Sequence, residues 1–432
     1  MMKKTIWLGL VILFASVISA FSQRQRTPEP KPAPSRVVIT NNLPPPTRIT
    51  QAQPAPTPLV VGRPRVVGDY TDRNSEKTPP AETFKPQAPA TDFRTMSFGQ
   101  IKNKIAEAKR LMQSRPLQTA SEDPLLANSL VRIAFYDWKT QRVDFVVMNK
   151  DSFLNITSDT QTVSSSGMAI SVHTIRANGV NTPVILTDES GQSKLPLMVQ
   201  YPVEKNGKFI ETAYYMSTHP GLVNPEVVNA GRFYVRNVIE IARDRLKEKG
   251  VTIQPKVADI AERLATVEHV DHTRFRTEPS QNVFDDIFTL YALNEGQTYR
   301  YSVSSAGAGG MVQMIPSTYQ MMRSRYPSVG LMPDFIEGMR NHVNATQAML
   351  LYMQMTWNDL NASPTVTGAV TSGLATQEQL MAAGYNSNPA KLAGYINRGG
   401  ADWTGLIPRE TKVYLQIFDS LERYVPMTPR SH

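Results

Sequence analysis

The chain has 432 residues, of which 41% are hydrophobic and 19% charged, and a formal net charge of +9. That length exceeds one ordinary core and points to two or three folded units. The absence of cysteine removes disulfides, thiol nucleophiles, thiolate metal sites and a cysteine-borne lipid anchor. The positive balance suits a polyanionic neighbour, nucleic acid or an anionic envelope polymer, and equally a soluble basic surface.

Lys3 and Lys4 precede an apolar run from Ile6 to Ile18, and Ala20-Phe21-Ser22 offers small residues at a cleavage point. This predicts an export signal over 1–22, its run too short for a comfortable membrane span. Residues 23–95 follow, rich in proline (Pro28-Glu29-Pro30-Lys31-Pro32, Pro44-Pro45-Pro46) and poor in apolar side chains. Such a composition cannot bury enough surface to fold, so a disordered, extended tether is expected.

A helical stripe (Ile101, Ile105, Ala108, Leu111) then runs from Ser97 to Gln113. Leu130–Trp138 and Val143–Met148 read as a hairpin around Lys139-Thr140-Gln141, with further strands at Met168–Ile175, Thr182–Leu186, Pro196–Val203 and Phe209–Met216. Residues 96–222 therefore form an α+β accessory domain with no chemical motif. Trp138 and the Tyr214-Tyr215 pair offer an aromatic platform, or simply core.

Asn224-Pro225-Glu226 opens a helix whose stripe (Val235, Val238, Ile239, Ala242, Leu246) runs to Gly250, and a second helix covers Val257 to Glu268. These make a helical connector over 223–280. His269, Asp271 and His272 follow, and without a third separated ligand motif they read as surface or packing residues, so no metal is expected.

From Gln281 the pattern changes meaning. Phe284, Ile287, Phe288 and Tyr291 share one helical face, four residues on the same face presents Glu295, and Gly296 ends the helix. A carboxyl on an aromatic-lined face at a helix C-terminus is pushed toward its protonated form, as a general acid for glycoside cleavage requires; periodicity alone equally allows a helix-terminal Glu pointing to solvent. The next segment, Ser304 to Gln313, is glycine-rich but lacks the Gly-Lys-Ser/Thr ending of a phosphate loop. No Asp or Glu occurs from Gly296 to Pro333, so any second acid comes from a distant part of the chain or does not exist.

Glu295, Ser304, Gly307, Ala308, Gly310, Gln313, Pro316 and Thr318 fall on the pattern Glu-Ser, Ser-x-x-Gly-Ala-x-Gly, Gln-x-Met-Pro-x-Thr. Tyr385-Asn386 resembles an Ala-Tyr-Asn motif, and Pro408-x-Glu410-Thr411-x-x-Tyr414 a Pro-x-Glu-Thr-x-x-Tyr motif. With Asn344 to Met353 as a packing helix between them, residues 281–425 resemble the soluble lytic transglycosylases, relatives of goose-type lysozymes. The resemblance implies a mainly α, lysozyme-like domain over 281–432, closing a multidomain α+β chain. Glu295 would protonate the glycosidic oxygen between N-acetylmuramic acid and N-acetylglucosamine, then act as base. The substrate's own 6-hydroxyl replaces a protein nucleophile and leaves a 1,6-anhydro end. Gln313 and Asn386 would hydrogen-bond sugars, Tyr385 would sit near the reacting bond, and Ser304 and Gly307 would shape the groove. Glu410, Thr411 and Tyr414 would support it, with Glu410 the best candidate for a second acid. The implied partner is peptidoglycan in the periplasm or outside the cell, with no cofactor, no nucleic acid and no membrane span in the mature chain.

Four positions depart from the pattern: Gly296 for Ser, Ile315 for Met, Gly384 for Ala, and Ser387-Asn388 for Ala-Gly. Ile for Met conserves volume. Gly296 removes a hydroxyl beside the acid. Two rivals follow, a wall-binding protein without turnover and a hydrolase that activates water.

Overall fold

The computed structural model describes residues 96–115, 117 and 129–431, together with the backbone of the strand β1, Val38–Thr40. The expected signal at 1–22 and, apart from that strand, the tether at 23–95 lie outside the described residues. The remainder mixes helix and sheet and ends in a helical region.

Helix α1 (Phe98–Ser114) is opened by a capping box, Ser97 with Gln100. Six strands follow in the expected places or beside them: β2 (Leu130–Asp137), β3 (Arg142–Asn149), β5 (Ala169–Thr174), β6 (Val184–Asp188), β7 (Ser193–Lys205) and β8 (Lys208–Tyr215). A short helix α2 (Lys150–Phe153) and the strand β4 (Thr160–Val163) were not anticipated. All pairings are antiparallel, in the order β3-β2-β7-β6-β5-β4 with β8 on the long β7. The β7–β8 turn places Asn206 and Gly207 at φ 53° and 71°, the pair of positive values that a tight hairpin demands.

Period-two alternation in β2 divides its side chains between two buried faces. Val131, Ile133 and Phe135 enter the main core, whereas Ala134 and Tyr136 meet Ile101, Ile105, Ala108 and Met112 of α1. Arg132 fixes that helix. Its buried guanidinium donates to the Arg115 and Met112 carbonyls, both at 2.6 Å, satisfying groups that the helix end leaves open. At the other end of α1 the Phe98 amide donates to Glu226 at 2.8 Å.

Glu226 belongs to α3 (Pro225–Glu248), where Asn224 accepts from the Glu226 and Val227 amides and Pro225 takes the first position, as the sequence predicts. Then come α4 (Pro255–Val267), α5 (His272–Thr277) and α6 (Ser280–Asn294). Phe284, Ile287, Phe288 and Tyr291 of α6 are all buried. Gly231 lets α3 and α6 press together, since a Cβ there would collide with the Phe288 carbonyl. The strand β9 (Ser302–Ser304), paired with β1, leads to α7 (Pro316–Arg325) and α8 (Phe335–Arg340). The long α9 (His342–Asn361), α10 (Pro364–Thr371), α11 (Gln377–Asn386), α12 (Leu392–Gly399) and α13 (Arg409–Tyr424) complete the chain. One apolar cluster runs from the strands through α3, α4, α6 and α9 to α13, so sheet and helices share a core. Among the described residues no helix is long and apolar enough to cross a membrane.

Candidate functional site

Of the two environments open to Glu295, the structure shows the solvent-facing one. Helix α6 ends at Asn294, and Glu295 is its C-cap with φ 44° and ψ −124°. That turn takes the side chain off the aromatic stripe. The carboxyl is half exposed (51%) and forms an ion pair with Lys102 of α1. Helix α1 packs on the sheet and shares an apolar cluster with Ala292 and Leu293, close before the cap.

The loop from Glu295 to Ile315 carries unusual backbone. Five non-glycine residues have positive φ among the described residues. Gln141 and Asn206 lie in hairpin turns, while Glu295, Tyr299 and Gln313 all lie in this loop. Such conformations cost about 1–3 kcal/mol each and persist where surroundings over-determine them, commonly at functional sites. Here the surroundings can be named. The Thr298 hydroxyl donates to the Leu290 carbonyl at 3.0 Å, and His342 Nε2 donates to the Thr298 carbonyl at 2.8 Å. His342 Nδ1 accepts from the Tyr234 hydroxyl at 2.8 Å, and burial pushes this imidazole down to about 4, so it stays neutral.

Farther along, Ser304 Oγ accepts from the Ala308 amide at 3.0 Å. Gly307 (φ 77°) makes the tight turn this needs, and at Gly310 (φ 67°) a Cβ would come within 2.5 Å of the Met339 carbonyl. Gln313 is buried at 2% exposure, with Nε2 donating to the Gly310 carbonyl at 2.9 Å and directed at Ser302 Oγ at 3.4 Å. Its side-chain nitrogen is therefore engaged within the loop itself.

Two buried rings hold the next carbonyls. His269 Nε2 donates to Met311 at 2.8 Å and its ring lies flat on Tyr299, 3.4 Å between centroids. Tyr385 donates its phenolic hydrogen to Val312 at 2.7 Å. His269 is thus a packing residue, and Asp271 caps α5 through the Thr273 and Arg274 amides. Asn386 Oδ1 accepts from the Thr411 hydroxyl at 2.8 Å, and the Tyr414 hydroxyl donates to buried Glu268 at 2.7 Å. Glu410 stands half-buried in the first turn of α13. The motif segments at 304–313, 385–386 and 411–414 are therefore tied into one assembly with α4.

Sequence reasoning missed Lys102, Glu268, Tyr234 and His342. Lys102 lies 193 residues from its partner, and no local pattern signals such a pair. Glu268 reads only as a helix end until the fold brings Tyr414 to it. At Gly296 a Cβ would meet nothing nearer than the Tyr234 hydroxyl at 4.0 Å, so crowding does not explain the glycine. Among the described residues no group of three His, Asp or Glu side chains is arranged to hold a metal ion. No family model, curated protein or solved structure matches the chain.

Proposed function

We propose that the chain is an exported lytic transglycosylase that cuts peptidoglycan strands between N-acetylmuramic acid and N-acetylglucosamine, its helical region a lysozyme-like catalytic domain. One observation carries this reading. The three motif segments that resemble the family are bonded to one another, through Tyr385 to Val312 and Thr411 to Asn386, beside the strained loop that begins at Glu295.

Glu295, in its protonated form, gives its proton to the glycosidic oxygen as that bond breaks. The resulting carboxylate takes the proton of the muramyl 6-hydroxyl as its oxygen bonds to C1, which closes the 1,6-anhydro ring and returns the acid. No second carboxylate is needed, in keeping with the acid-free stretch after Gly296. Lys102 occupies this carboxyl in the free chain, so the glycan strand must displace its ammonium as it settles along the loop.

The reading of a wall-binding protein without turnover draws on two observations, the Lys102 pair and Gly296 in place of a serine. Mass analysis of fragments released from purified peptidoglycan separates the possibilities. Anhydro-ended fragments support transglycosylation, fragments heavier by one water indicate hydrolysis, and bound but undigested wall indicates the binding protein.

A further inference from the structure

A cavity of about 250 Å³ opens between the sheet and the helices, distinct from the exposed side of Glu295. The loop after β5 supplies Arg176 and Asn178 to its wall, α6 supplies Asp286, Ile287 and Leu290, and Asp271 and Arg274 complete the charged lining.

The charges in it are unevenly satisfied. Arg274 donates to Glu278 through two nitrogens, at 2.8 and 2.7 Å, and to Asp286 at 2.7 Å. Asp271 is occupied by its helix cap. Arg176 alone is left over: it makes no hydrogen bond or ion pair among the described residues. Burial first, and then the neighbouring Arg274 charge, push its guanidinium below the ordinary range. The side-chain amide of Asn178 likewise has no partner among the described residues. Asp286, Glu278 and Asp271 act on its charge from nearby, yet none is bonded to it, so its donors stay open to an incoming anion.

We infer that this cavity binds the free carboxylate end of a short peptide, with Arg176 as the fork that receives it. Guanidinium donors match a carboxylate in pairs. A phosphate dianion fits worse, because its second charge would face Asp286 and Asp271 with every other cation already engaged. The space is smaller than drug-sized pockets of roughly 300–1,000 Å³ and suits one or two amino-acid residues. Ile287 and Leu290 offer apolar contact to side chains, and the Asn178 amide can pair with a peptide group. The occupant lies along α6, the helix whose cap is Glu295. If the wall-glycan reading holds, the peptide is the stem carried by the strand being cut. That identity rests on the proposed function, whereas the carboxylate site does not.

Calorimetric titration of the full chain with the dipeptide alanylalanine, its C-terminal amide and inorganic phosphate tests the site without any glycan. Saturable binding of the acid is expected, about tenfold or more weaker for the amide and for Arg176→Gln. Arg176 makes no structural bond, so the variant should keep the wild-type circular dichroism spectrum. Equal affinity for acid and amide, no loss in Arg176→Gln, tighter binding of phosphate, or no binding of the acid each overturns the assignment. Such a failure leaves glycan cleavage untouched, and absent glycan cleavage leaves a measured carboxylate site intact.

Discussion

The Tyr385 hydroxyl and the Val312 carbonyl meet at 2.7 Å across 73 residues of chain. The bond holds α11 against the loop that follows Glu295, and Val312 has no exposed surface to offer water in exchange. Removing the hydroxyl leaves a buried acceptor with one partner fewer.

Tyr385→Phe should therefore lower stability by about 1–3 kcal/mol and reduce wall digestion more than the lost stability explains, because the loop loosens at the site. Urea unfolding and muropeptide release check both effects. Unchanged digestion by a destabilised variant would confine Tyr385 to packing.

Lys102 holds the Glu295 carboxyl from another helix, in an exposed pair that salt screens. Lys102→Met is expected to raise digestion at neutral pH several-fold with little change in unfolding midpoint. Wild-type activity should climb with ionic strength over the range where the variant stays flat. Loss of activity in Lys102→Met would instead make the ammonium part of the working site.

Gly231 sets the distance between α3 and α6. A Cβ there would meet the Phe288 carbonyl, backbone that cannot swing aside. Gly231→Ala should cost about 3 kcal/mol or more, at the upper end of overpacking effects, seen as a lower thermal midpoint and weaker digestion. A near-neutral effect would mean that the helices separate freely.

Three buried imidazoles set the response to acid. Burial holds His219 and His269 at about 3 and His342 at about 4, against about 6.5 for an exposed imidazole. The folded pKa values are depressed, so the unfolded chain binds protons that the folded chain refuses. Their contribution is fully present above about pH 6.5 and is lost as pH falls toward these folded values. Asp286 and Glu262, raised by burial, act in the opposite sense in more acid solution. Between pH 7 and 5.5 the histidines dominate, and the unfolding free energy should drop by as much as about 4 kcal/mol. A flat profile over that range would show that the imidazoles take up protons within the fold.

Much of the architecture is legible in local pattern. The Asn224-Pro225 start, the hairpin around Lys139-Thr140-Gln141 and the buried stripe of α6 all follow from spacing and caps. The strand β4 escaped because Thr160–Val163 is short and alternates among exposed residues. Spacing alone leaves the side of Glu295 open for a physical reason. Helical periodicity extends only as far as the helix, and one residue past Asn294 the backbone turns the side chain from the aromatic face toward Lys102. Gln313 shows the same limit, since spacing marks the residue but not its positive φ or the bond from its Nε2 to the Gly310 carbonyl. Arg176 carried no signal at all, because an unpaired cation is visible only once its surroundings are known.

The most direct trial of the central claim compares wild type and Glu295→Gln on purified peptidoglycan, reading the mass of released muropeptides. The variant keeps the size of the side chain and removes its proton transfer. Anhydro-ended fragments from wild type, none from Glu295→Gln, and equal binding of insoluble wall by both proteins are expected. Undiminished release by Glu295→Gln would remove this carboxyl from the reaction, and no release by either protein would leave a wall-binding protein in place of an enzyme.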